Sequence, residues 1–155
     1  MAQARFEFRL EGLLEHRRQI EKDHQRKVAE IQQEAQIISR RIRDAQTRIV
    51  LENRTLTGQK LVGVLDMNYI AHEKRYVGNL HMQIAMAMQD LQAVEERINA
   101  ARVELLAAAK ARKVIEKLRE KQLARWRLEQ DRKESAEMDE MGTQIAMRNP
   151  ERLGV

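Results

Sequence analysis

An all-α fold, a long two-helix antiparallel coiled-coil hairpin, is what the sequence predicts, and three observations predict it. Two separate stretches keep a 3,4 alternation of apolar residues with one polar exception, a Thr- and Gly-bearing interruption stands between them, and the composition is that of long helices. A 3.5-residue apolar repeat keeps one stripe of a helix turned towards a partner helix, so each stretch needs something to pack against. The two stretches supply each other.

The chain carries one Pro, no Cys, two Phe, two Tyr and one Trp, and 34% of its 155 residues are charged. Aromatic side chains usually provide much of the buried area of a compact domain, so a globular core is not expected and residues 1–155 read as a single hairpin. The lack of Cys excludes disulfides and thiolate zinc sites. No apolar run reaches the roughly 18 residues needed to span a membrane, and Met1 to Arg18 lacks the apolar centre of a signal peptide. A cytoplasmic location is therefore expected.

Helix 1 is expected over about residues 5–54, beginning where Leu10, Leu13 and Leu14 take up i, i+3, i+4 spacing. Gly12 weakens its first turns by up to ~1 kcal/mol relative to Ala. Ile31, Ala35, Ile38, Ile42, Ala45 and Ile49 then form a seam in which Ala allows close approach of the partner. Before that seam, Ile20, His24 and Val28 stand four and four apart, which predicts a stutter. Thr55, Thr57, Gly58 and Gly63 mark a tip over about residues 55–64, and Leu56, Leu61, Val62, Val64 and Leu65 are expected to form a small apolar cluster that caps it, the alternative being a docking surface.

Helix 2 is expected over about residues 65–141, ended by Gly142, with a disordered C-terminal tail over about 142–155. Its seam runs Ile84, Ala87, Leu91, Val94, Ile98, Ala101, Leu105, Ala108, Arg112 and Ile115. Arg119, Gln122 and Trp126 follow at the same spacing without aliphatic character. Helix 2 is thus expected to overhang helix 1, with the overhang partly exposed or dependent on a partner. Met82, Met86 and Met88 are expected to flank the seam, the alternative being an adaptable surface.

Sites for catalysis are not visible. Glu21 and His24 make one Glu-x-x-His, whereas a bundle di-metal site needs that motif twice with further carboxylates. His16, His72 and His81 read as exposed or seam-edge residues. Neither a glycine-rich phosphate loop nor a nucleophile elbow occurs. A two-helix hairpin offers no water-excluding pocket, so no enzyme, no metal and no cofactor are expected.

Charge carries more information. Lys110 to Arg127 has eight basic residues against Glu116 and Glu120, a net of +6, and Leu128 to Glu140 has six acids against Arg132 and Lys133, a net of −4. Lys and Arg on phosphates would give nucleic-acid affinity, but the block holds one aromatic, Trp126, and the adjoining acids would repel a nucleic acid along the same helix. A solvated helix face or a contact with an acidic protein surface fits better. Tyr69, Tyr76 and Leu80, spaced seven and four apart near the tip, read either as part of the seam or as a second contact stripe.

The two chain ends read together carry a resemblance. Phe6-Glu7-Phe8-Arg9-Leu10-Glu11-Gly12-Leu13-Leu14 resembles the Phe-x-Phe-x-Leu-x-x-Leu-Leu opening of the FliJ family, the flagellar type III export stalk proteins, with Gly12 where many members place Pro. Met138-Asp139-Glu140-Met141, followed by Ala146-Met147-Arg148-Asn149-Pro150-Glu151, resembles the family's close. The resemblance implies a two-helix stalk whose paired chain ends insert into the hexameric flagellar export ATPase ring and activate it. It further implies that the tip side contacts the cytoplasmic part of the export-gate membrane protein, with a role towards export chaperones, at the inner face of the cell membrane beneath the flagellum. By charge and position, Arg5, Arg9, Arg17, Arg18, Lys113, Lys117, Arg119, Lys121, Arg125 and Arg127 are the candidates for the ring, and Tyr69, Tyr76 and Leu80 for the gate. An injectisome stalk and a basic nucleic-acid-binding hairpin are the competing readings.

Overall fold

The computed structural model describes residues 5–59 and 66–148, and over these the chain is two long helices packed against each other: α1 (Glu11–Gln59) and α2 (Met67–Arg148). No strand occurs among the described residues. The all-α, two-helix expectation therefore holds, and the differences lie at the helix ends.

Helix α1 begins at Glu11 rather than near residue 5, because the residues before it are used for packing. Phe8 is buried, its carbonyl accepts from the Glu11 N–H at 3.1 Å, and the Leu14 N–H donates to the Leu10 carbonyl at 2.9 Å. At the other end α1 continues through the expected tip residues 55–58 to Gln59. The Thr55 and Thr57 hydroxyls donate to the carbonyls of Leu51 and Asn53, at 3.0 and 2.8 Å, and so satisfy themselves without leaving the helix. Leu56 of the tip cluster is buried. Leu61, Val62, Gly63, Val64 and Leu65 lie outside the described residues.

Helix α2 starts where Asp66 caps it. The Asp66 Oδ1 accepts from the N–H groups of Asn68 and Tyr69 at 3.0 and 3.2 Å, satisfying two donors that the first turn leaves without partners. Gly142 does not end α2. The helix runs on to Arg148, with the Thr143 hydroxyl donating to the Asp139 carbonyl at 2.8 Å. Gly is only ~1 kcal/mol worse than Ala inside a helix, and good helix formers surround this one. Residues 142–148 of the expected tail are thus helical, and 149–155 lie outside the described residues.

Packing divides the chain into two compact units, one comprising Ile20–Ala108 and the other joining Met1–Gln19 to Ala109–Val155. In the first, Val28, Ile31, Val94, Ile98 and Ala101 form a buried cluster, with Ala35, Ile38 and Leu105 packed on it. Ile42, Ile49, Leu56 and Leu80 continue the buried row. Each fully buried aliphatic of this kind contributes about 1.5–3 kcal/mol. Flanking ion pairs bridge the helices, Arg97 to Glu34 at 2.7 Å and Lys27 to Glu104 at 3.3 Å. The expected stutter is absent: Leu14, Arg17, Glu21, His24, Val28 and Ile31 keep the 3,4 alternation, with each side chain buried or partly buried. Counting only apolar residues selects Ile20, which lies beside this stripe. Met82, Met86 and Met88 stand more than half exposed, facing solvent instead of flanking the core.

In the second unit Leu14 is completely buried, and the Phe6 ring meets Trp126. Arg112, Ile115, Arg119, Gln122 and Trp126 are all partly buried, so the inward stripe continues after its aliphatics stop. From Asp131 to Arg148 every residue is exposed.

Candidate partner-binding surfaces

The basic residues of the second unit fall into two groups. Some hold the helices together: Arg119 Nε donates to Glu11 Oε2 at 3.0 Å, and Arg18 Nη2 to Glu116 Oε1 at 3.4 Å. Glu116 also accepts from Arg112 one turn earlier. The Arg112 hydrogen bond foremost, with the charge of Arg112 and the hydrogen bond and charge of Arg18, lowers the Glu116 carboxyl below its ordinary range against the opposing effect of burial. Arg17 is partly buried on the α1 stripe.

The remainder point outward. Lys113, Lys117, Lys121, Arg125 and Arg127 are exposed, and among the described residues no ion pair holds them. Arg5 and Arg9 are likewise exposed, near the start of the chain. Of the ten cations nominated from the sequence, these seven present free charge. Arg18 and Arg119 carry charge already matched within the fold.

The tip stripe divides in the same way. Tyr69 and Tyr76 lie at the boundary of exposure, 38% and 36% accessible, one above the other two turns apart. Leu80 is 3% accessible and belongs to the core. Its seven-and-four spacing from the tyrosines crosses from the flank of α2 to its seam, so it offers a partner nothing.

Two features escaped the sequence reading. Glu52 falls on the α1 seam between Ile49 and Leu56, and Glu73 on the α2 seam before Val77 and Leu80. Hydrogen bonding to Glu73 foremost, then burial, then the charge of Glu73 raise the Glu52 carboxyl above its ordinary value. His72 Nδ1 stands 3.6 Å from Glu73 Oε1 on the outer side of the pair. The signal was available, since continuing the 3,4 count past Ile49 lands on Glu52. The second feature, the Phe6–Trp126 contact at 5.9 Å between ring centroids, joins residues too far apart in sequence for any spacing rule.

Among the described residues no group of His, Asp and Glu could hold a metal ion, and no helix is long and apolar enough to cross a membrane. The sequence model of a family described as flagellar FliJ protein matches residues 6–151. No curated protein and no solved structure matches the chain.

Proposed function

The chain belongs to the FliJ family of flagellar proteins, and from that premise we propose that it is the non-enzymatic stalk of the flagellar export apparatus, engaging and activating the hexameric export ATPase with its paired chain ends. The observation that carries this reading is the set of exposed, unpaired cations on the outer side of α2, Lys113, Lys117 and Lys121, followed by Arg125 and Arg127. A stalk must touch successive ring subunits without being trapped by one. Exposed Lys and Arg make such contacts, each worth about 0–1 kcal/mol, while their summed field steers the end into an acidic collar. Arg18 and Arg119 serve a different purpose in this scheme, holding α1 and α2 together where the load is applied. Towards the tip, Tyr69 and Tyr76 are the groups proposed to meet the cytoplasmic part of the export gate.

The test is to mix the protein with the flagellar export ATPase and follow hydrolysis and ring formation. Stimulation of both is expected, and its loss in a Lys113→Glu, Lys117→Glu, Lys121→Glu variant with unchanged helicity by circular dichroism. No change in hydrolysis or assembly on adding the unaltered protein would overturn the reading.

A further inference from the structure

Helix α2 carries a second 3,4 stripe on the side turned away from α1. In the second unit it reads Val114, Lys117, Lys121, Ala124, Leu128 and Asp131, and every one of these residues is exposed. The inward stripe of Arg112, Ile115, Arg119, Gln122 and Trp126 is partly buried throughout. Val114 and Leu128 are 65% and 52% accessible, so the outward stripe has apolar groups with nothing on them. Beside it runs a flanking row at seven-residue spacing, Lys113, Glu120, Arg127 and Glu134, in which charge alternates.

We propose that this outward face of α2 pairs antiparallel with the same face of a second copy of the chain. The charge order selects both the partner and the register. Flanking rows of an antiparallel helix pair face one another. With Val114 set against Asp131 of the second copy, Lys113 comes beside Glu134 and Glu120 beside Arg127. Each match occurs twice by symmetry. Asp131 then lies between Lys110 and Lys117 of the other copy, and Leu128 covers the Lys117 stem. Sliding by one heptad in one direction puts Glu120 against Glu134, and in the other Lys113 against Arg127. Like charges in those positions oppose the wrong registers. The basic block of one copy thereby neutralises the acidic block of the other, which explains why the two adjoin on one helix. The pairing does not rest on the ring contact proposed above, but it would cover Lys113, Lys117 and Lys121 and so compete with it.

Sedimentation across a concentration series, with no ATPase present, tests the pairing. A reversible monomer–dimer equilibrium is expected. Lys113→Glu should weaken association about tenfold or more, because the change acts twice per dimer, and adding Glu134→Lys should restore it. The chain has no Cys, so a Val114→Cys variant mixed with an Asp131→Cys variant should cross-link on oxidation while neither does so alone. A monomer at every concentration, a dimer indifferent to Lys113→Glu, a charge swap that fails to restore association, or cross-linking by either variant alone would each overturn the proposal.

Discussion

The Phe6 ring lies 5.9 Å from that of Trp126 with the two planes inclined at 56°, so the non-helical start of the chain is clasped to α2 at the far end of the inward stripe. Phe8 is buried and Leu14 is fully enclosed within the same unit. A tilted pair of this kind is worth about 0.5–1.5 kcal/mol beyond the area it covers. Phe6→Ala should lower stability by about 1 kcal/mol and leave Trp126 in water. Because Trp126 is the single tryptophan, a red shift of its emission in the folded state reports the loss directly. An unshifted spectrum would mean the clasp does not form in solution.

The Glu52–Glu73 pair makes stability depend on pH in the unusual direction for carboxylates. The folded-state value of Glu52 is raised by the hydrogen bond to Glu73, so the folded chain binds more protons than the unfolded one between the two values. Its contribution is present in full below the ordinary carboxylate value and is lost as pH rises through the folded-state value. Glu52→Gln removes one facing charge and keeps a donor for Glu73. It should raise the thermal midpoint at pH 7 and flatten the dependence, read by circular dichroism melts at several pH values.

Glu116 contributes with the opposite sign. Arg112 foremost, then Arg18, hold its carboxyl below the ordinary range, so its stabilisation is present above the unfolded-state value and lost as pH falls through the lower folded-state value. The pair is partly solvated, with the Glu116 side chain 29% accessible, so Glu116→Gln should cost less than about 1 kcal/mol at pH 7. The cost should vanish in acid. A difference that persists there would show packing, not charge, to be responsible.

Much of this was legible because a coiled-coil seam is written in the sequence at fixed spacing. Val94, Ile98, Ala101, Ile31, Ile42 and Ile49 are buried as the apolar count requires. The apolar count crosses the polar seam position Arg112 but not Arg17, Glu21 and His24 or Glu52 and Glu73, which lie beyond the ends of the aliphatic runs and not within one. Helix ends were harder still. Helix α1 runs past Thr55 and α2 past Gly142, where composition signals a break, and the Thr55, Thr57 and Thr143 hydroxyls there bond back to the preceding turn. Among the candidate contacts, charge nominates Lys117 and Arg119 alike, and only geometry separates Lys117, which is free, from Arg119, which holds Glu11.

Leu80 and Tyr76 should separate cleanly on substitution. Leu80 is buried in the row that also holds Ile42 and Ile49, so Leu80→Ala should cost about 2–5 kcal/mol through lost burial and the cavity left behind. Tyr76, on the flank, should cost less than about 1 kcal/mol when changed to Ala. Urea melts distinguish the two. An equal, small effect would return Leu80 to the surface stripe with the tyrosines.

The last part of α2 depends on no tertiary support, since every residue from Asp131 to Arg148 is exposed. Its helicity therefore rests on local preference, and Gly142 is the weakest point in it. A Cβ placed there meets nothing within 4 Å, so Gly142→Ala is free of steric cost and should strengthen the local helix by about 0.5–1 kcal/mol. Gly142→Pro removes a backbone donor and clashes with the preceding turn, at about 3 kcal/mol. Because this segment packs against nothing, neither change should move the main unfolding transition. The effect should appear as amide hydrogen exchange over residues 139–148, slower with Ala and faster with Pro. Exchange already complete in the unaltered chain, and unmoved by Ala, would end α2 at Met141 after all.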